Sequence, residues 1–364
     1  MDGGAATAAM RRLGIDVPVV LAPMGGGPST VALAAAVSNA GGLGSLAGGY
    51  LSPDVLRRQI RELKAATPRP FAVNLFVVAP ADPEAAEVER AIGLIAPYRA
   101  ELGLPARPDV ATWAEDFEAQ LEVVVEEGVP VFTYTFGPLT GEQTERLRRS
   151  GAVTMGTASN VAEAVALEEA GADLVCAQGA EAGGHHSTWL APAEQSLIGT
   201  LALVPQVCDA VGVPVVAAGG VMDGRGLAAV LCLGAGAAQM GTAFLLAPEG
   251  GTSAPHRRAL ADARETDIDV TSTVTGGLAR GIRNRLMTEL ERADVPPYPV
   301  MNALTAELRR AATAADRPDL MAMWAGQAVR LARSAPASEV VAAVVRSAAE
   351  VLDGVDGVPR SGRP

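Results

Sequence analysis

Residues 152–177, AVTMGTASNVAEAVALEEAGADLVCA, decide the fold class. Ala152–Met155 opens as a short apolar strand, and Asn160 followed three residues later by Glu163 marks a helix start, where free backbone N–H groups need acceptors. Val161, Ala164 and Val165 then share one helix face before Gly171, a residue suited to a left-handed helix stop. Ala172–Ala177 resumes as a continuously apolar strand, as expected of a strand covered on both faces. Strand, helix and strand in immediate succession form one unit of a parallel sheet.

The same alternation extends in both directions. Strands are predicted at Val17–Ala22, Gly42–Leu46, Phe71–Leu75, Val129–Thr135, Ala152–Met155, Ala172–Ala177, Val213–Ala217 and Ala235–Met240. Another crossover helix opens at Ser52-Pro53-Asp54, carries Val55, Leu56, Ile60 and Leu63, and stops at Thr67-Pro68. Eight strand–helix units are the number that closes a (β/α)8 TIM barrel. An open doubly wound sheet is the competitor, because strand order is not written in one sequence.

Two stretches leave the alternation. Pro80 to Glu127 is too long for one crossover and holds two helical candidates around Gly103-Leu104-Pro105, an elaborated loop over one end. Residues 248–300 are irregular, with a β-like Val270–Val274, and are assigned to a small accessory α/β domain or lid. The expected organisation is a barrel over 1–247, the accessory segment over 248–300, helices over 301–352 packing back on the barrel, and a flexible tail at 353–364. Within the third part, Leu320–Leu331 and Ala337–Leu352 are predicted helical.

Composition bounds the rest. Of 364 residues, 49% are apolar and 19% charged, ample for a core. With 29 basic and 41 acidic side chains the net charge is −12, which repels nucleic acid and anionic lipid, so neither is an expected partner. Met1-Asp2-Gly3-Gly4 lacks the positive start of a secretory signal, and no apolar run approaches the roughly 18 residues of a membrane span. A cytoplasmic protein is expected, and its Ala-rich helices leave a homo-oligomer open. Cys176, Cys208 and Cys232 sit in apolar sequence and are expected buried and reduced, with no metal-ligand spacing among them.

In a barrel the chemistry lies on the loops after the strands, with phosphate commonly held after the seventh and eighth. Ala217-Ala218-Gly219-Gly220-Val221 and Gln239-Met240-Gly241-Thr242 stand there, each leading toward a helix start that can bind an anion; an ordinary tight turn is the plainer reading of either alone. After the sixth strand, Gln178 to His186 is dense in glycine and carries two of three histidines. A histidine there suits a general base or a hydrogen-bond donor to substrate. His256, in Pro255-His256-Arg257, is read as a surface or structural residue. Ala22-Pro23-Met24 and Asn74 point to the same mouth and suit a flat heterocycle. Trp324 and Tyr298 are either pocket-lining or packing residues.

These residues together resemble the nitronate monooxygenase family, formerly called 2-nitropropane dioxygenases. The markers are Ala22-Pro23-Met24, Ala36 to Gly44, Val73-Asn74-Leu75, Gln178-Gly179 through His185, Ala218-Gly219-Gly220, Gln239 to Thr242, and Trp324-Ala325-Gly326-Gln327. The resemblance implies an FMN-containing barrel with a small accessory domain. It implies FMN contacts from Ala22, Pro23, Met24, Asn74, Gln178, Gly183, Ala218, Gly219, Gly220, Gln239, Met240, Gly241 and Thr242, and makes His185 the catalytic histidine, with His186 turned away. The implied partners are a small nitronate, such as propionate 3-nitronate, or a nitroalkane, together with O2; the products are a carbonyl compound and nitrite. Two departures stand out. Leu21 replaces a glutamine found in many members, removing a polar contact near the cofactor, and Ser187-Thr188-Trp189 make the substrate side of the loop bulkier.

Three rival readings remain. A flavin-dependent enoyl-acyl carrier protein reductase resembles the same barrel but needs a nicotinamide donor and a basic docking patch, for which Arg257, Arg258, Arg280, Arg283 and Arg285 are the candidates. A tailoring flavin oxidase of secondary metabolism is the second, and a non-catalytic flavin-binding barrel the third.

Overall fold

The computed structural model describes residues 4–354. Its strands are β1 Val19–Leu21, β2 Gly44–Ala47, β3 Phe71–Phe76, β4 Val131–Thr135, β5 Val153–Ala158, β6 Leu174–Gln178, β7 Gly184–His185, β8 Val215–Ala218, β9 Ala237–Met240, β10 Ile268–Thr271 and β11 Ala279–Ile282. Eight of them pair in parallel in the order β1-β9-β8-β6-β5-β4-β3-β2, and a bridge between Val20 and Leu43 brings the two ends of the sheet together. That order settles the TIM barrel against the open sheet. All eight predicted barrel strands are present, differing only at their ends.

Local chemistry places the helices. Asn160 Oδ1 accepts from the Glu163 N–H at 3.0 Å and starts the helix Val161–Glu169. Ser52 accepts from the Val55 N–H ahead of Pro53–Ala66, whose Leu56, Ile60 and Leu63 are fully buried against the barrel wall. Each such aliphatic side chain is worth about 1.5–3 kcal/mol of burial.

Strand alternation divides the barrel's core in two. Val20 joins Leu43, Ala72, Val131, Met155, Leu174, Cys176 and Val216 inside the cylinder, while its neighbours Val19 and Leu21 pack outward under the helices. The helix Gly4–Leu13, which no sequence signal announced, closes the lower end by adding Ala9 and Leu13 to the inner core. Gly236 permits that approach, since a Cβ there would stand 2.4 Å from the Ala9 Cβ. Only the end at which the strands finish stays open.

A separate core sits over that mouth. It gathers Ile95 from helix Ala85–Glu101, Ile268, Ile282 and Leu286 from the irregular segment, and Met301, Leu304 and Leu308 from helix Val300–Ala314. Val300–Ala314, expected to pack back on the barrel, therefore belongs with the accessory layer; Ala337–Gly354 does lie on the barrel, against Gly224–Cys232 and Val31–Asn39. In a small antiparallel sheet of order β10-β11-β7, the loop after β6 pairs with the accessory segment.

Other expectations need correction. Leu320–Leu331 is not a helix: Ile282 N–H donates to the Met323 carbonyl at 2.9 Å and Gly281 bridges Trp324, so pairing with β11 overrides local helix propensity. Cys232 is exposed and Cys208 half-buried; only Cys176 is buried, and all three are free thiols. Of the expected tail, residues 355–364 lie outside the described residues, while 353 and 354 end the last helix. Among the described residues, no helix is long and apolar enough to cross a membrane, and no cluster of three His, Cys, Asp or Glu could hold a metal.

Candidate active site

A cavity of about 1220 Å³ opens at the strand ends. This exceeds the roughly 300–1,000 Å³ of an ordinary ligand pocket, leaving room for two small molecules side by side. Ala22, Pro23, Met24, Asn74, Gln178, Gly183, His185, Ala218, Gly219, Gly220, Gln239, Gly241 and Thr242 all line it. Met240 does not. Strand alternation turns its side chain into the outer core, and only its carbonyl, which accepts from the Ala22 N–H at 2.9 Å, borders the site.

The floor on one side is built from backbone. Gly219 and Gly220 follow β8 at φ of 106° and 72°, the left-handed region that glycine alone enters cheaply. Among the described residues, the N–H groups of Gly219, Gly220, Val221 and Gly241 donate to no acceptor within the chain. Thr242 Oγ1 accepts from the Gly326 N–H at 2.9 Å, which leaves its own proton to donate. Backbone donors without partners along one cavity wall are the kind of group an anion can accept from.

The opposite side is shaped around His185. Gly183 passes so near the 325–326 backbone that a Cβ would lie 2.5 Å from the Ala325 carbonyl carbon, and Gly184 turns at φ 77° into β7. His185 Nε2 meets Thr275 Oγ1 at 2.8 Å, and the ring sits among Tyr298, Phe136 and Trp324 at centroid distances of 5.2, 5.9 and 5.9 Å. Burial, aided by the Arg309 charge, pushes its pKa down to about 4, so the ring is neutral at pH 7. Phe136 holds a φ of 77°, costly for a bulky residue, with its N–H donating to Ser187 Oγ at 3.1 Å.

Polar side chains complete the lining. Asn74 Nδ2 donates to Thr133 Oγ1 at 3.0 Å, leaving its carbonyl oxygen for the cavity. Gln178 spans the His185 loop, donating to the His185 carbonyl at 3.0 Å and accepting from the Ser187 N–H at 2.8 Å. His186 turns away, its Nε2 2.7 Å from the Ser196 carbonyl. Thr188 and Trp189 also turn away, both bonding the buried Glu163, so the bulk expected on the substrate side is not there. Leu21 faces the outer core, and its side chain does not border the cavity.

Several lining residues escaped the sequence reading. Tyr50, Phe136 and Arg309 reach the cavity from distant elements, and Tyr298 and Trp324 prove to be lining residues. His256, read as surface or structural, is buried at the cavity's edge; burial pushes its pKa down to about 4, and Nε2 has no partner. The five arginines offered as a docking patch are individually spent. Arg257 donates to four carbonyls, Arg280 is buried on the Ala180 carbonyl, and Arg258, Arg283 and Arg285 pair with Asp316, Asp269 and Glu101.

A barrel mouth with unpartnered amide donors and a neutral histidine in an aromatic pocket has the groups that catalysis uses. The family model described as nitronate monooxygenase matches residues 8–347. A probable nitronate monooxygenase of Staphylococcus aureus is 38% identical over 343 residues, covering 93% of this chain and 96% of its own. The solved nitroalkane oxidase from Streptomyces ansochromogenes aligns at TM-score 0.89 and 41% identity, over 96% of this chain and 99% of that one. FabK from Thermotoga maritima follows at TM-score 0.76 and 30% identity, over 96% and 98%. The chain belongs to the nitronate monooxygenase family and is an oxidoreductase.

Proposed function

We propose that this enzyme is an FMN-dependent monooxygenase that oxidises alkyl nitronates with O2 to carbonyl compounds and nitrite. The observation that carries the reading is the pairing of unsatisfied glycine amides near Gly220 and Gly241 with the enclosed imidazole of His185, in one cavity large enough for a cofactor and a small substrate. FMN fits the residues present. The orphaned N–H groups and the Thr242 hydroxyl suit its phosphate, and the glycines leave no Cβ in the cradle. Ala22, Pro23 and Met24 would back its flat ring, with Asn74, Gln178, Gly183, Ala218 and Gln239 around its edge. When bound, FMN supplies the redox chemistry between the nitronate and oxygen.

The chain's own part is binding and charge control. Phe136, Tyr298 and Trp324 enclose the reacting region and exclude water, strengthening each hydrogen bond made there. His185 is neutral with one nitrogen engaged by Thr275, so its other nitrogen serves substrate. A base half-protonated only near pH 4 offers little driving force for taking a carbon-bound proton. The site therefore favours substrates that arrive as nitronate anions over neutral nitroalkanes.

FabK keeps the nicotinamide-dependent reductase as a second reading. One experiment separates them: aerobic incubation of purified protein with propionate 3-nitronate, without nicotinamide, following visible absorbance and nitrite. Flavin absorbance with nitrite release is the expected result. A flavin bleached only by NADH or NADPH, with no nitrite, would replace this reading with the reductase, and a flavin inert to both with a binding protein.

A further inference from the structure

Phe136 stands inside the cavity against the alternation of its own strand. Along β4, Thr133 and Thr135 line the cavity while Phe132 and Tyr134 pack outward under the helices. The same period of two would send residue 136 outward as well. Its left-handed φ of 77° turns the ring back instead, and it joins the cavity lining. Such a backbone is costly for a bulky side chain and persists only where its surroundings enforce it. Ser187 supplies the enforcement: its Oγ accepts from the Phe136 N–H at 3.1 Å, and its own N–H donates to Gln178 Oε1 at 2.8 Å. Of Ser187, Thr188 and Trp189, only Ser187 lines the cavity.

The ring reaches the reacting region from one side. Its centroid lies 5.9 Å from that of the His185 imidazole, edge-on, and 5.3 Å from that of Tyr298. Little room lies behind it. Phe76 backs Phe136 at 5.2 Å, Tyr50 backs Phe76 at 5.2 Å, and at Gly49 even a Cβ would stand 2.4 Å from the Phe76 ring. A close-packed stack of rings resists added volume, because a displaced ring has nowhere to go. We infer that Phe136, locked by Ser187, is a specificity-determining residue that limits the bulk carried by the reacting carbon. The preferred substrates are then nitronates with short, slender alkyl groups, and bulky or cyclic ones are turned away. This limit deepens the proposed function and rests on it for the reaction, though exclusion by bulk is a matter of fit alone.

The test uses flavin-loaded enzyme and two pairs matched in shape. Ethyl nitronate and cyclohexyl nitronate are the reactive pair, and kcat/KM for nitrite release should favour the first by about tenfold or more. In Phe136→Gly, which removes the ring and accepts the left-handed backbone, that ratio should fall toward one. Phe136→Leu, which keeps part of the bulk, should fall between. Ser187→Ala, which frees the Phe136 N–H, should also lower the ratio. Propanoate and cyclohexanecarboxylate are planar two-oxygen anions with the same carbon skeletons that cannot react, and calorimetric titration should show the same preference and the same losses. Equal treatment of each pair by the native enzyme, or discrimination kept in Phe136→Gly, overturns the limit. If Phe136→Gly fails to fold, the native ratios and Ser187→Ala decide the matter. If no nitronate yields nitrite but the carboxylate preference appears and vanishes with Phe136, the reaction reading falls and the limit stands. Nitrite from both nitronates at equal efficiency does the reverse.

Discussion

Gln178 holds the backbone on either side of His186, immediately after the His185 side chain, donating to the His185 carbonyl at 3.0 Å and accepting from the Ser187 N–H at 2.8 Å. One carboxamide at the end of β6 thereby braces the chain directly after the imidazole, leaving one N–H of Nε2 and one lone pair of Oε1 for a ligand. In Gln178→Ala the Ser187 N–H loses its acceptor in a buried place, a cost of about 1–3 kcal/mol. The melting temperature should fall, and nitronate turnover should drop about tenfold or more as the ring loses its position. A variant as stable and as active as the parent would show that the clamp has no role.

His185→Asn separates two roles for the ring. A ring half-protonated only near pH 4 takes carbon-bound protons slowly, so neutral nitroalkanes should be the poorer substrates, and the low turnover they show should fall further in His185→Asn than that of preformed nitronates, which need no proton removal. The replacement leaves the glycine cradle untouched, so the purified variant should still carry the proposed flavin. Steady-state rates on nitroethane and ethyl nitronate read the split, and equal losses on both would remove the base role.

The two low histidine pKa values also set a stability slope. His185 and His256 are each pushed down by burial to about 4, against roughly 6.5 when unfolded. Between these values the unfolded chain takes up protons that the folded chain refuses, so stability is full above about pH 6.5 and falls as pH drops toward 4. Urea midpoints at pH 7 and pH 5 should differ in that direction, with a smaller difference in His185→Asn. An unchanged midpoint would mean these rings are not held neutral.

What the sequence revealed follows from how local each cause is. Gly219, Gly220 and Gly241 were legible because strand order fixes which loops meet at the barrel mouth, and glycine marks where backbone must come close. Met240 was misplaced although period-two alternation separates it from Gln239. Arg309, Tyr50 and His256 were not legible as site residues. They reach the cavity only through tertiary packing, and Arg309 lies on a helix whose pattern resembles an ordinary solvated face. Leu320–Leu331 was misread because its Leu, Met and Ala content favours helix, while pairing with β11 decided its backbone. Gln178 was legible as a residue at the barrel mouth, but its duty as a brace depends on a loop that returns seven residues later.

The glycine cradle gives a steric prediction. Gly220 holds φ 72°, so Gly220→Ala adds about 1–2 kcal/mol of backbone strain even though its nearest neighbour, Glu181 Cβ, stands 3.4 Å away. The loop should relax by turning its amides out of convergence. Purified Gly220→Ala should carry markedly less flavin per chain, measured by visible absorbance against protein concentration. Gly141→Ala, at a helix start with open space around its Cβ, is the control that should keep full loading. Equal loading in both variants would place the phosphate elsewhere.

Glu163 supplies the longest-range control over the site. Its carboxylate is fully buried and accepts from the Ser159 N–H and hydroxyl, the Thr188 hydroxyl and the N–H groups of Trp189 and Leu190. Burial alone would raise its pKa, but these bonds outweigh burial and hold it below the ordinary range. The stability this contributes is therefore present above the unfolded value of about 4.3 and is lost as pH falls through the lower folded value. Glu163→Gln keeps the shape but replaces an ionised acceptor with an amide whose NH2 must face donors, a cost of about 1–3 kcal/mol. Because the freed residues follow His185 directly in the chain, hydrogen exchange should quicken at Trp189 and Leu190 before it does in the barrel strands, and KM for nitronate should rise. Exchange confined to other regions, with native stability below pH 4, would show that Glu163 does not anchor the loop.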